Sequence, residues 1–233
     1  MKSIKYLLIT GIFLVNCTSL FSHALFIQTN LGGKKGVAHE VSIFYSEPNE
    51  NRELIADWWS DTSEFKLWLT LPDGTSSQLG VTKNKDHFNA VFTPLLNGVY
   101  KLSIHHNVAA LYAQTQYQFN SSAVVTVGNV KKDEVTPNKT GLFMCKKGNG
   151  NVKKDSVVSI SLTDGEQPLS GMHVTVFDPK GWSKTISTNA AGIATFTSLH
   201  SGIYQLEASQ AEDVSGEKYN KRHRIITTII SVR

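Results

Sequence analysis

The chain has 233 residues, with 23 Lys and Arg against 19 Asp and Glu, a net charge of +4. That excess is too mild for a nucleic-acid-binding face, which concentrates basic side chains. Beyond the amino-terminal leader no segment approaches the roughly 18 apolar residues that a membrane helix needs.

The first two dozen residues read as an export signal. Lys2 and Lys5 precede an apolar run from Tyr6 to Val15, about ten residues, long enough for a signal-peptide core and too short to span a bilayer. Ser22-His23-Ala24 then places small residues where a signal peptidase reads. Cleavage after Ala24 fits the small-x-small rule best. Cleavage after Ser22 is the alternative, and it makes His23 the mature amino terminus. Cys17 could instead be a lipid-anchored cysteine, but the Asn16 beside it matches a lipobox poorly. The sequence therefore predicts a periplasmic or secreted chain of about 210 residues. Without Lys2 and Lys5 it carries 21 basic residues against 19 acidic. Cys145 is then its sole cysteine, so no intrachain disulfide is available, and Leu142-Phe143-Met144-Cys145 reads as core.

From Leu25 onward the pattern is period-two alternation, with no 3.6-residue stripe. Strands are predicted at Val37 to Tyr45, Glu64 to Thr70, Phe88 to Phe92, Val99 to His106 and Gln116 to Val127. Pro72-Asp73-Gly74 and Asn97-Gly98 are turns between them. Leu54 to Asp61 is a short helical turn or a loop. The polar stretch from Asn129, holding Pro137, reads as a linker over residues 129–139. Further strands are predicted at Thr140 to Cys145, Val157 to Leu162, Met172 to Phe177, Lys184 to Thr188, Ile193 to Thr197, Ile203 to Ala208 and Arg224 to Val232. The fold class is all-β: two tandem antiparallel β-sandwiches, residues 25–128 and 140–233, after a signal peptide in residues 1–24. In the second block, Gly165 to Val176, Thr188 to Phe196 and Gly202 to Ala208 follow in an order that resembles the prealbumin-like, or carboxypeptidase-regulatory-like, sandwich. That resemblance implies a fold and says little about function.

No HExxH, CxxC, P-loop, GxSxG or GxGxxG motif is present, so the chain is read as a binding protein and not an enzyme. Eight histidines are its unusual stock of functional side chains. Alternation along Val99 to His106 puts His106 on the apolar row and His105 on the wet one. Asp86-His87 stands just before a strand, where an acid can ligate a metal or orient the imidazole. His39 aligns with Val41 and Ile43 and should be packed. If cleavage leaves His23 first, its α-amino group and imidazole form a chelate for Cu(II) or Ni(II), which favour nitrogen donors. His23, Asp86, His87 and His106 are thus the candidate metal ligands, at one end of the first sandwich. Trp58 and Trp59 are the competing feature. Adjacent tryptophans place one ring inward and one at the rim, or offer an aromatic platform to a carbohydrate or protein of the cell envelope.

A resemblance spans nearly the whole mature chain. His23 to Asn30, Gly32 to Tyr45, Ala56 to Asp61, Leu67 to Gly74, Asp86-His87-Phe88, Phe92 to Tyr100, Tyr117 to Asn120, Gly181-Trp182 and Gly216 to His223 are similar to an exported bacterial family of unknown function labelled as nickel-uptake-transporter-related. It implies a periplasmic accessory to a membrane transporter, with nickel, cobalt or a related transition metal as its cargo. The first-residue histidine with a later Asp-His pair also resembles periplasmic copper-resistance sandwiches.

Overall fold

The computed structural model describes residues 23–130, 141–148, 151–215 and 218–233. The predicted export segment before His23, Cys17 with it, and most of the predicted linker lie outside these residues. Among the described residues seventeen strands follow in order. The first nine are β1 (Ala24–Thr29), β2 (Gly32–Gly33), β3 (His39–Ser46), β4 (Leu67–Thr70), β5 (Ser76–Leu79), β6 (Thr82–Lys83), β7 (Phe88–Phe92), β8 (Gly98–Asn107) and β9 (Thr115–Val127). The rest are β10 (Leu142–Lys146), β11 (Ser156–Asp164), β12 (Gln167–Pro168), β13 (His173–Phe177), β14 (Ser183–Ser187), β15 (Ile193–Ser198), β16 (Gly202–Asp213) and β17 (Lys221–Val232). Leu54 to Asp61 holds a single 3-10 turn, Ile55–Asp57.

The two predicted blocks share a sheet. β17 pairs in parallel with β9, Lys221 beside Thr115 through Thr228 beside Ser122. One sheet therefore runs β14-β13-β16-β17-β9-β8-β4-β5 through both halves. A second sheet, β1-β3-β7-β6, covers one face of its first half. A third, of β10, β11, β12 and β15, covers the opposite face toward its second half.

The shared strands are consequently buried on both sides, as parallel strands with covered faces are. Alternate residues serve different cores. Phe119, Ala123, Val125, Ile225 and Ile229 pack with β1, β3 and β7. Ile226, Ile230 and Val232 pack with Met144, Ile160, Leu162 and Tyr204 of the other sandwich. Two Ser/Thr pairs sit at the centre, and each closes one face. Ser121 and Thr227 hold β1: the Ile27 N–H donates to Ser121 Oγ at 3.0 Å, and the Thr227 hydroxyl donates to the Leu25 carbonyl. Ser122 holds β10, donating to the Met144 carbonyl at 2.6 Å and accepting from the Met144 N–H at 3.0 Å. Thr228 donates to the Ser122 carbonyl at 2.8 Å. A buried backbone group left unpaired costs about as much as a lost hydrogen bond, so these hydroxyls let strand edges end on a sheet face.

This double coverage changes one reading of the sequence. The predicted wet row of β8 is enclosed: Val99, Lys101 and Ser103 are all buried. His105 follows them inward and donates its Nδ1–H to Asn120 Oδ1 at 2.8 Å. Burial holds its pKa below the usual imidazole value. The alternation was read against one sandwich, whereas a second sheet covers that face.

Candidate amino-terminal site

β1 begins at Ala24, which is 0% exposed and pairs with Ser46 of β3. His23 extends this strand by one residue, and the chain after β3 wraps around it. Its Nε2 lies 2.9 Å from Glu53 Oε1, and its Nδ1 lies 3.5 Å from Glu47 Oε1. The ring stacks on Tyr45, centroids 5.4 Å apart. Burial, and Glu53 beside it, push the Tyr45 phenol far up, so the platform under the imidazole is neutral. The loop that supplies both glutamates is pinned. The Asn49 N–H donates to Gln205 Oε1 at 2.7 Å, and the Asn49 amide donates to the Asp178 carbonyl at 3.1 Å. Arg52 donates to Gln28 Oε1 at 2.9 Å and lies over the Phe44 ring.

The other candidate ligands each have a carboxylate of their own. His87 Nδ1 is 2.6 Å from Asp86 Oδ1. That hydrogen bond, with the nearby Arg52, holds the Asp86 carboxyl below the usual range. His106 Nε2 faces Asp61 Oδ1 at 3.4 Å, beyond good hydrogen-bond distance, and makes no hydrogen bond. Partial burial opposes the Asp61 charge, but the Ala109 N–H and His106 hold its pKa down. Among the described residues no group of three or more His, Cys, Asp or Glu side chains is gathered to hold a metal. His23, His87 and His106 are thus not brought to one point by side chains alone.

The remaining features fall to packing. Trp58 is 5% exposed, stacks on Phe65, packs against a tilted Tyr45 and an edge-on Phe88, and donates its indole N–H to the Glu53 carbonyl. Trp59 is half-buried, edge-on to Tyr117 and Phe119. Trp58 is the inward ring and Trp59 the rim ring, so the two do not form a joint platform. His39 is buried and bonds Thr29 Oγ1 at 2.8 Å. Cys145 is buried, 3.4 Å from Ser161 Oγ, and burial pushes its thiol up.

Sequence reasoning missed Glu47, Glu53 and Glu207. The first two lie in the polar segment after β3, whose turn around Pro48-Asn49 places both on one imidazole. Glu207 lies in a predicted strand, and nothing in its alternation marks it as covered.

No family model matches the sequence, and no curated protein matches it. Among solved structures, a marsupial T cell receptor is similar over 91% of this chain and 72% of its own, at 10% identity and a TM-score of 0.28.

Proposed function

We propose that the chain is an exported binding protein of the cell envelope and that its mature first residue, His23, holds a divalent transition metal. The observation that carries this is the clamp on the His23 imidazole. Glu53 takes Nε2 at 2.9 Å, and Nδ1 turns to Glu47 at 3.5 Å. A ligating histidine is commonly oriented by a carboxylate on its other ring nitrogen. Nδ1 is also the nitrogen that closes a six-membered chelate with the residue's own α-amine. Cleavage after Ser22 creates that amine, whereas cleavage after Ala24 would remove His23 and a fully buried residue of β1.

The donor set is then the α-amine, Nδ1 and the Glu47 carboxylate. Two nitrogens and one oxygen suit Cu(II) or Ni(II) in tetragonal geometry better than the oxygen-only shells of Mg(II) or Ca(II). His87 and His106 are left to their carboxylates. The resemblance to a nickel-uptake-related family supports cargo delivery to a membrane transporter. Titration calorimetry of the chain starting at His23, with Ni(II), Cu(II) and Zn(II), tests the reading. Tight binding lost in His23→Ala and weakened about tenfold or more in Glu47→Gln supports it. Binding unchanged by His23→Ala overturns it.

A further inference from the structure

Glu207 lies in the middle of β16, and its Oε2 is buried without a hydrogen-bond partner. Burial pushes its carboxyl up to about 7, with no neighbouring charge contributing. A buried carboxylate in that state is costly and ordinarily has a counter-charge.

Its place in the sheet says where the counter-charge comes from. Residues in register form a row across the central sheet: Ser121 on β9, Thr227 on β17, Glu207 on β16 and Thr175 on β13. Side chains in such a row share one face. On that face β1 crosses the row edge-on. The Ile27 N–H stands on Ser121 and the Leu25 carbonyl on Thr227. Two residues of strand advance about 6.7 Å, and neighbouring strands lie about 4.8 Å apart. The step from Ile27 to Leu25 thus moves the edge from β9 to β17. Extending the same step from Leu25 to His23 carries the edge on from β17 toward β16 and Glu207. Alternate residues of a strand turn their N–H and C=O to the same edge, so the main-chain nitrogen of His23 lies on the edge that faces the row.

We propose that Glu207 is the receptor for the mature amino terminus, forming an ion pair with the α-ammonium group of His23 after cleavage of the Ser22–His23 bond. The cleavage is a hydrolysis by the export peptidase: one water is consumed, Ser22 leaves as a carboxylate, and the His23 amine takes up a proton. Before cleavage the same nitrogen is an uncharged amide with one N–H. Afterwards it is a cation with three donors, and the buried carboxylate gains a charge partner. Processing therefore locks β1 onto the second sandwich through β16. A metal on the amine would displace one proton and leave two N–H groups for the same carboxylate. The proposal needs no metal and shares with the metal reading only the position of the cut.

The test is made with chelator present. Wild-type and Glu207→Gln chains are prepared starting at His23 and, separately, with Phe21-Ser22 retained. Carbon-13 NMR follows the Glu207 carboxyl, and thermal unfolding gives the midpoint. The carboxyl should titrate about one pKa unit or more lower in the chain that starts at His23. Retaining Phe21-Ser22 should lower the wild-type midpoint and leave that of Glu207→Gln unchanged. Identical titration in both wild-type chains, or equal loss in both backgrounds, overturns the proposal. So does an intact mass of the exported protein that starts at Leu25. Failure of metal binding in the calorimetric experiment moves none of these readouts.

Discussion

Thr227→Val isolates the contact by which β1 is held. The change keeps the β-branched shape and removes one hydroxyl. Thr227 bonds Ser121 at 2.9 Å, and a single proton direction satisfies the whole run: Ile27 N–H to Ser121, Ser121 to Thr227, Thr227 to the Leu25 carbonyl. Leu25, Ile27, Ser121 and Thr227 are all fully buried. Valine leaves the Leu25 carbonyl and the Ser121 hydroxyl proton unpaired where water cannot reach. Each such group costs about 1–3 kcal/mol, so the variant should lose about 3 kcal/mol. With a urea slope of about 2 kcal/mol/M, the unfolding midpoint falls by about 1.5 M. Ser121→Ala breaks the same run, so the double variant should cost clearly less than the sum of the singles. A midpoint shift under about 0.5 M, or fully additive costs, would show that apolar packing and not this run fixes β1.

Other consequences are independent of the amino terminus. Asp178 is fully buried; burial opposes its charge, but His200 Nδ1 at 3.0 Å and the Lys180 N–H at 2.7 Å hold its pKa below the usual 3.8. A depressed folded pKa stabilises above the unfolded value and is lost as pH falls through the folded one. Thermal midpoints should therefore fall below about pH 4, and Asp178→Asn should start lower at neutral pH and fall less; parallel curves would remove Asp178 as a cause. Gly141 has φ +76°, and a Cβ there would sit 2.7 Å from His105 Cε1. Gly141→Ala should cost about 2–4 kcal/mol by urea unfolding, and His105→Ala should recover the steric part only. Cys145, buried with a raised thiol pKa, should resist a thiol reagent at about pH 8 in the native chain and react fully in denaturant; rapid native labelling would show that β10 opens.

The all-β class was legible because alternation survives wherever a strand has one wet face. β7 reads Phe88-Asn89-Ala90-Val91-Phe92, with its even positions buried and the others exposed. Where both faces are covered, the signal changes meaning. In β9 the run from Phe119 to Val125 is buried throughout, and in β17 so is Ile225 to Ile230. Their Ser-Ser and Thr-Thr pairs look like polar dilution in sequence, yet they are the pegs on which β1 and β10 end. The joining of the two sandwiches was therefore not readable locally. Parallel pairing of β17 with β9 links residues about a hundred apart, and no turn signal marks it.

Of the candidate site, the sequence singles out His23 and not the carboxylates that surround it. His23 drew attention because a cut before it creates a chelate, a property of one residue and one bond. Its partners are set by the path of β1 across the central sheet. That path runs over Ser121 and Thr227, on two strands distant in the chain and adjacent only by register. Histidines at strand ends were grouped because strand ends can converge, but each found a nearer carboxylate: Asp86 for His87, Asp61 for His106, and Glu47 with Glu53 for His23. In an acid-rich loop environment the nearest carboxylate competes effectively with any distant imidazole, since charge-assisted contacts strengthen as partners close to hydrogen-bond distance. What would distinguish His23 is the α-amine that a cut before it creates, a donor that no side chain supplies, and the buried, unpaired carboxylate of Glu207 is the partner we propose for it.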